Sequence, residues 1–149
     1  MKRKIKLLAF LCCILCIFSA CGKETEYPFV STEDEVFLIE TPYCDLYYPK
    51  AWSNQIEINT SEKDSYKVEF LTTIKEEKIK LFDLYFGGNR GDEIGILSVN
   101  GKKISIKVES YSIDLEKYSE DEQIDLTGMK EDLNIIISKL IENYDFELV

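Results

Sequence analysis

From Val36 onward apolar and polar residues alternate with a period of two, the spacing of a strand with one buried face. Val36-Phe-Leu-Ile-Glu40 is a short apolar run punctuated by Thr41-Pro42. Cys44-Asp-Leu-Tyr-Tyr48 resumes the pattern until Pro49, whose missing N–H ends a ladder. Ile56 and Ile58, beyond Trp52, open a further strand, and Asn59-Thr-Ser-Glu-Lys-Asp64 reads as a turn cluster. Tyr66, Val68, Phe70, Thr72 and Ile74 then alternate with Lys67, Glu69, Leu71 and Thr73, predicting a half-buried strand. After the turn Lys75-Glu76-Glu77, the stretch from Ile79 to Phe86 is apolar on both faces apart from Asp83, which predicts a central strand covered on two sides. Gly87-Gly-Asn-Arg-Gly-Asp92 is a loop. Asn100-Gly101 predicts a two-residue hairpin, because a type I′ turn needs positive φ at both positions. Pairing Val99 with Lys102 sets Leu97 opposite Ile104 and puts Val99, Ile106 and Val108 on one face.

The period changes at the C-terminus. Met129, Leu133, Ile136, Ile137, Leu140, Ile141 and Tyr144 repeat at helical spacing and form one wide apolar stripe. Thr127 is placed to cap this helix, and Ser119-Glu-Asp-Glu122 fits a capping box that starts a short turn of helix before it. Strands and hairpins followed by one long helix predict an α+β domain: an antiparallel β-sheet of about six strands with a C-terminal amphipathic helix packed on one face.

Ahead of the domain the pattern is neither strand nor amphipathic helix. Met1-Lys-Arg-Lys-Ile-Lys6 is basic, Leu7 to Phe18 is an apolar run, and Ser19-Ala20-Cys21-Gly22 is a small-residue site. The run is shorter than the ~20 apolar residues a bilayer span takes. This segment resembles a bacterial lipoprotein signal peptide with the lipobox Phe18-Ser19-Ala20-Cys21, although Phe18 holds a place more often taken by Leu. The resemblance implies diacylglyceryl transfer to the Cys21 thiol, cleavage before it, and a palmitate-type lipid anchor on the extracytoplasmic face of the cell membrane. The predicted organisation is then a leader over 1–20, a tether over 21–35, and one extracytoplasmic domain over 36–149.

That organisation changes the reading of charge and cysteine. Lys2, Arg3, Lys4 and Lys6 leave with the leader, so 14 of the 18 Lys and Arg face all 28 Asp and Glu, a balance of −14. A body this acidic repels nucleic acid and anionic polymers, so no nucleic-acid partner is expected. Of five cysteines, Cys12, Cys13 and Cys16 lie in the leader and Cys21 takes the lipid, leaving Cys44 alone as a packed core thiol with no disulfide partner. The chain has no histidine, which excludes Ser-His-Asp and Cys-His catalysis and His-ligated metal.

Few constellations carry chemistry. Arg90-Gly91-Asp92 matches an adhesive tripeptide, but its Gly and Asp suit an ordinary turn. Asp114, Glu116, Glu120, Asp121, Glu122 and Asp125 lack the spacing and the glycine of a calcium loop and read as a solvated face. Asp83 is the unusual carboxylate: on an open sheet face it is a surface residue, the reading preferred here, and on a covered face it would be a desolvated acid. Tyr43, Tyr47 and Trp52, with Asp83, make a candidate binding surface; alternatively Tyr48 and Trp52 pack in the core while Tyr43 and Tyr47 lie at an edge. No nucleotide, redox or metal-cofactor motif is present.

Leu46-Tyr-Tyr-Pro49 with Trp52, Tyr66-Lys-Val-Glu-Phe70 and Leu81-Phe-Asp-Leu-Tyr85 together resemble PsbP-like α/β sandwich domains. The exported part as a whole is similar to uncharacterised small lipoproteins of Gram-positive gut bacteria. The first resemblance implies a fold and no functional residue. The expected function is a non-enzymatic domain that binds a ligand or envelope partner beside the membrane; the alternative is a carboxylate-dependent envelope enzyme built on Asp83 or the acidic stretch.

Overall fold

Eight strands and two helices make up residues 36–149, the part that the computed structural model describes; the expected leader over 1–20 and tether over 21–35, with Cys21, lie outside it. In chain order the strands are β1 (Val36–Glu40), β2 (Asp45–Pro49), β3 (Ile56–Glu62), β4 (Tyr66–Ile74), β5 (Glu77–Phe86), β6 (Asp92–Val99), β7 (Lys102–Ser110) and β8 (Phe146–Leu148). The helices α1 (Glu120–Glu131) and α2 (Leu133–Asn143) fall between β7 and β8. The domain is α+β, as the pattern predicts.

β3 to β8 form one antiparallel sheet in the order β3-β4-β5-β7-β6-β8, so β5 is central. β1 and β2 form a separate antiparallel hairpin. The hairpin and both helices pack on the same side of the large sheet. Tyr48 of β2 meets Phe70 of β4 and Phe82 of β5 at ring-centroid distances of 5.3 and 6.4 Å, and Phe70 stacks on Phe82 at 4.4 Å. From above, the Tyr48 hydroxyl donates to the Met129 carbonyl of α1 at 2.6 Å, and the Asp45 N–H donates to the Tyr144 hydroxyl at 2.8 Å. Leu126, Met129, Ile136 and Leu140 complete this core from the helices.

The Asn100-Gly101 hairpin has the predicted register, with Val99 paired to Lys102 and Leu97 to Ile104. The turn cluster at 59–64 is shorter than expected: β3 runs through Asn59, Thr60, Ser61 and Glu62, all paired with β4. An edge strand facing solvent needs no apolar stripe at this end, so its polar residues imitate a turn. β5 carries one residue more than β4 opposite it. Phe82 pairs with Phe70 but Lys80 pairs with Leu71, leaving Leu81 as a bulge that is fully buried.

The helical region also departs from the prediction. The Ser119 capping box is present in full, with its side chain taking the Glu122 N–H and Glu122 returning to the Ser119 N–H, but it opens a helix of 12 residues. Thr127 lies inside that helix and caps nothing. The predicted single helix is two, joined at Asp132. Gly128 sits mid-helix because the Trp52 ring lies on it, with Cζ2 3.2 Å from where a β-carbon would stand. Beyond α2 the chain adds an unpredicted strand, β8, which pairs Phe146 with Leu97 and Leu148 with Gly95. Gly95 accommodates it, because a methyl there would overlap the Phe146 ring and the Glu147 carbonyl.

Candidate functional site

Strand alternation places the residues between Phe82, Leu84 and Phe86 on the opposite face of the sheet, away from the helices. There Glu69 of β4, Asp83 of β5 and Glu109 of β7 are directly paired neighbours, a row of three carboxylates across three central strands. Such a row repels itself unless cations or donors are interleaved. They are. Lys67 and Lys80 reach Glu69 Oε1 at 2.6 and 2.9 Å, and the same ammonium groups stand 3.9 and 3.7 Å from Asp83 Oδ2. Tyr111 donates its hydroxyl to Asp83 Oδ2 at 2.8 Å. Tyr85 donates to Glu109 Oε2 at 2.7 Å, with Asp83 Oδ2 3.3 Å from the same hydroxyl.

Asp83 is only 1% exposed, which corrects the preferred expectation of a surface carboxylate. The carboxylate is covered by side chains of its own sheet: Lys67 of β4, Lys80 and Tyr85 of β5, and Tyr111 just beyond β7 close over it. One of its oxygens, Oδ1, is buried with no hydrogen-bond partner. Buried polar atoms of this kind are uncommon, and they mark strain, chemistry or an ordered water.

The electrostatics follow the contacts. Hydrogen bonds from Lys67 and Lys80 hold the Glu69 carboxyl below its usual range, and the Tyr85 hydroxyl does the same for Glu109. Burial, then the bond to Glu109, pushes the Tyr85 phenol up; burial and the bond to Asp83 do so for Tyr111. Burial also raises the Cys44 thiol to about 12, so at neutral pH it is an inert, protonated core residue, as expected. These shifts set a pH window. The depressed carboxylates stabilise fully above the ordinary value of 4.5, and their contribution is lost as pH falls through the lower folded values. The raised thiol and phenols act in the opposite sense: stability is full below 9.0 to 10.0 and falls as pH climbs towards their folded values. Thermal midpoints should therefore be flat between about pH 5 and 8 and drop on both sides. A midpoint still rising at pH 10 would contradict these assignments.

The sequence-predicted aromatic surface is not brought together. Tyr43 stacks on Phe86 at 5.3 Å and meets Tyr66 edge-on at 6.0 Å, on the helix-covered side. Trp52 lies against α1 and donates its indole N–H to Asp132 Oδ2 at 2.6 Å. Tyr47 stands opposite Leu38 on the outside of the β1–β2 hairpin. Asp83 lies across the sheet from all this core packing. Residues that the period-two reading missed, Glu109 and Tyr111 above all, join Asp83 only through the β5–β7 pairing.

No protein family, curated protein or solved structure matches this chain. The site therefore rests on its own geometry.

The acidic stretch near α1 is dispersed into local roles. Glu122 serves the capping box and an ion pair with Lys75 at 2.9 Å, and Asp114 stands 3.5 Å from Lys117. Among the described residues no three His, Cys, Asp or Glu side chains are grouped to hold a metal ion. In Arg90-Gly91-Asp92 the central glycine has φ +77° and lies against the Val108 backbone, while Asp92 begins β6. That tripeptide is built for the turn.

Proposed function

We propose that this protein is a lipid-anchored extracytoplasmic domain that binds a ligand or partner at the cell envelope without transforming it. The anchor is read from the basic, apolar and Phe18-Ser19-Ala20-Cys21 segments of the sequence. The observation that carries the binding reading is the open face of the sheet. Helices and hairpin cover one side, while the other presents an ordered polar lattice in which Glu69, Asp83 and Glu109 already receive lysine or tyrosine donors. A general acid or base needs a proton-exchanging position facing substrate, and these carboxylates are committed to their neighbours.

A second reading, a carboxylate-dependent enzyme, is favoured by one observation: the unpartnered Oδ1 of buried Asp83. The two separate by experiment. The full chain, purified in a non-ionic detergent, is unfolded thermally against cations, glycans, peptides and organic anions. A ligand at a hundred times its dissociation constant adds about 2.7 kcal/mol, a shift of several degrees. A shift with unaltered ligand recovered afterwards supports binding, and recovery of a cleaved ligand supports the enzyme. For the anchor, Cys21→Ala should abolish incorporation of a labelled fatty acid in cells; a variant that still incorporates it removes the anchor from the proposal.

A further inference from the structure

At one end of the open face the polar lattice gives way to a cavity of ≈ 420 Å³ between the β3–β4 turn and the β5–β6 loop. Its lining differs in charge from the rest of the molecule. Lys63, Lys67 and Arg90 converge there against a single carboxylate, Asp64, although acidic residues outnumber basic ones 28 to 18 in the chain. Among the described residues neither Lys63 nor Arg90 has a carboxylate within 4 Å, whereas most lysines facing the lattice do. Both groups are exposed and line the same space, so each is free to take an anion there. Ser61 and Ser65 add hydroxyl donors around the same space, while the Tyr85 proton is committed to Glu109.

The walls are fixed before any ligand arrives. The Gly87 N–H donates to the Ser105 carbonyl at 2.7 Å, and Lys107 donates to the Gly88 carbonyl at 2.9 Å, which ties the β5–β6 loop to β7. Gly88 lies so close to Ser65 that a β-carbon on it would stand 2.9 Å from the serine side chain, so the loop leans on the β3–β4 turn. On the floor, Lys67 is held by Glu69 and Tyr85 by Glu109. Of the three cations, the exposed Lys63 and Arg90 remain free to close on a guest. The space is within the range of small-molecule pockets, and a guanidinium beside an ammonium matches a planar or tetrahedral oxyanion.

We infer that this cavity binds a small organic oxyanion, a solute bearing a carboxylate or phosphate group, gripped by Arg90 and Lys63 over a floor of Lys67 and Tyr85. The inference rests on the binding reading above and gives it a ligand class.

Isothermal titration of the full chain in non-ionic detergent, at low salt, with citrate, glycerol 3-phosphate and inorganic phosphate tests it, with glucose as the neutral control. Saturable binding of at least one anion and none of glucose is expected. Arg90→Gln and Lys63→Gln should each weaken that binding about tenfold or more, while Lys50→Gln, an equal charge loss elsewhere on the surface, should leave it unchanged. Equal weakening by Lys50→Gln would reveal unspecific charge attraction and overturn the site. So would the absence of saturable anion binding, even if a glycan or cation shifts the thermal midpoint and preserves the wider binding reading. Binding of short-chain phosphatidylglycerol micelles in place of glycerol 3-phosphate would assign the phosphate to a lipid headgroup and overturn the soluble-solute assignment.

Discussion

Tyr48→Ala is expected to lower the stability of the domain by about 4 kcal/mol, close to the whole margin of a modest single domain. Tyr48 is fully buried and stands where hairpin, sheet and helix meet. Its ring contacts Phe37 at 5.8 Å as well as Phe70 and Phe82, and its hydroxyl bonds to Met129. Truncation removes the ring from all three aromatic partners and leaves a cavity that the stacked Phe70–Phe82 pair cannot fill without shifting. Tyr48→Phe keeps the packing and loses only the bond, which is worth roughly 1–2 kcal/mol when the remaining carbonyl is buried. Denaturant titration of the two variants separates ring from hydroxyl. Equal losses in both would mean that the hydroxyl, not the packing, holds the hairpin to α1.

Asp83→Ala should cost about 3 kcal/mol, the lower end of the range for breaking a buried charge cluster. Lys67 and Lys80 are partly exposed and keep Glu69, so neither is stranded. Tyr111 is: its half-buried hydroxyl loses its acceptor. Adding Tyr111→Phe to Asp83→Ala should recover around 1 kcal/mol, because the orphaned donor then disappears with its acceptor. If Asp83→Ala unfolds within 0.5 kcal/mol of the parent, the carboxylate has no structural role and the unpartnered Oδ1 becomes the stronger sign of chemistry.

The parts of this fold that were legible from sequence are local. Asn100-Gly101 sets its own hairpin because the turn dictates the register on both sides. The β4 alternation is readable because every second residue from Tyr66 to Ile74 is apolar except the buried Thr72. What escaped depends on distant partners. Thr127 looks like a cap because it stands just ahead of the apolar stripe that starts at Met129, yet the helix runs through it and through Gly128, on which Trp52 lies from the other end of the domain. Asp83 looked exposed because its cover comes from Tyr111 and from lysines on two strands, which no period in β5 records. β8 is three residues long, too short to show alternation, and it exists because Gly95 leaves room for Phe146. The candidate site was visible only as the single residue Asp83; the cavity at Arg90 was passed over as a turn.

The placement of β8 bears on the open border of β6. β6 would otherwise end the sheet, and its outward N–H and C=O groups would sit beside a glycine with no side chain to obstruct a visitor. The final residues occupy that border: Val149 donates to the Ile94 carbonyl, and Phe146 covers Gly95. A foreign strand seeking to zip onto β6 would first have to peel away β8. β8 thus guards the β6 border against strand exchange between neighbouring copies.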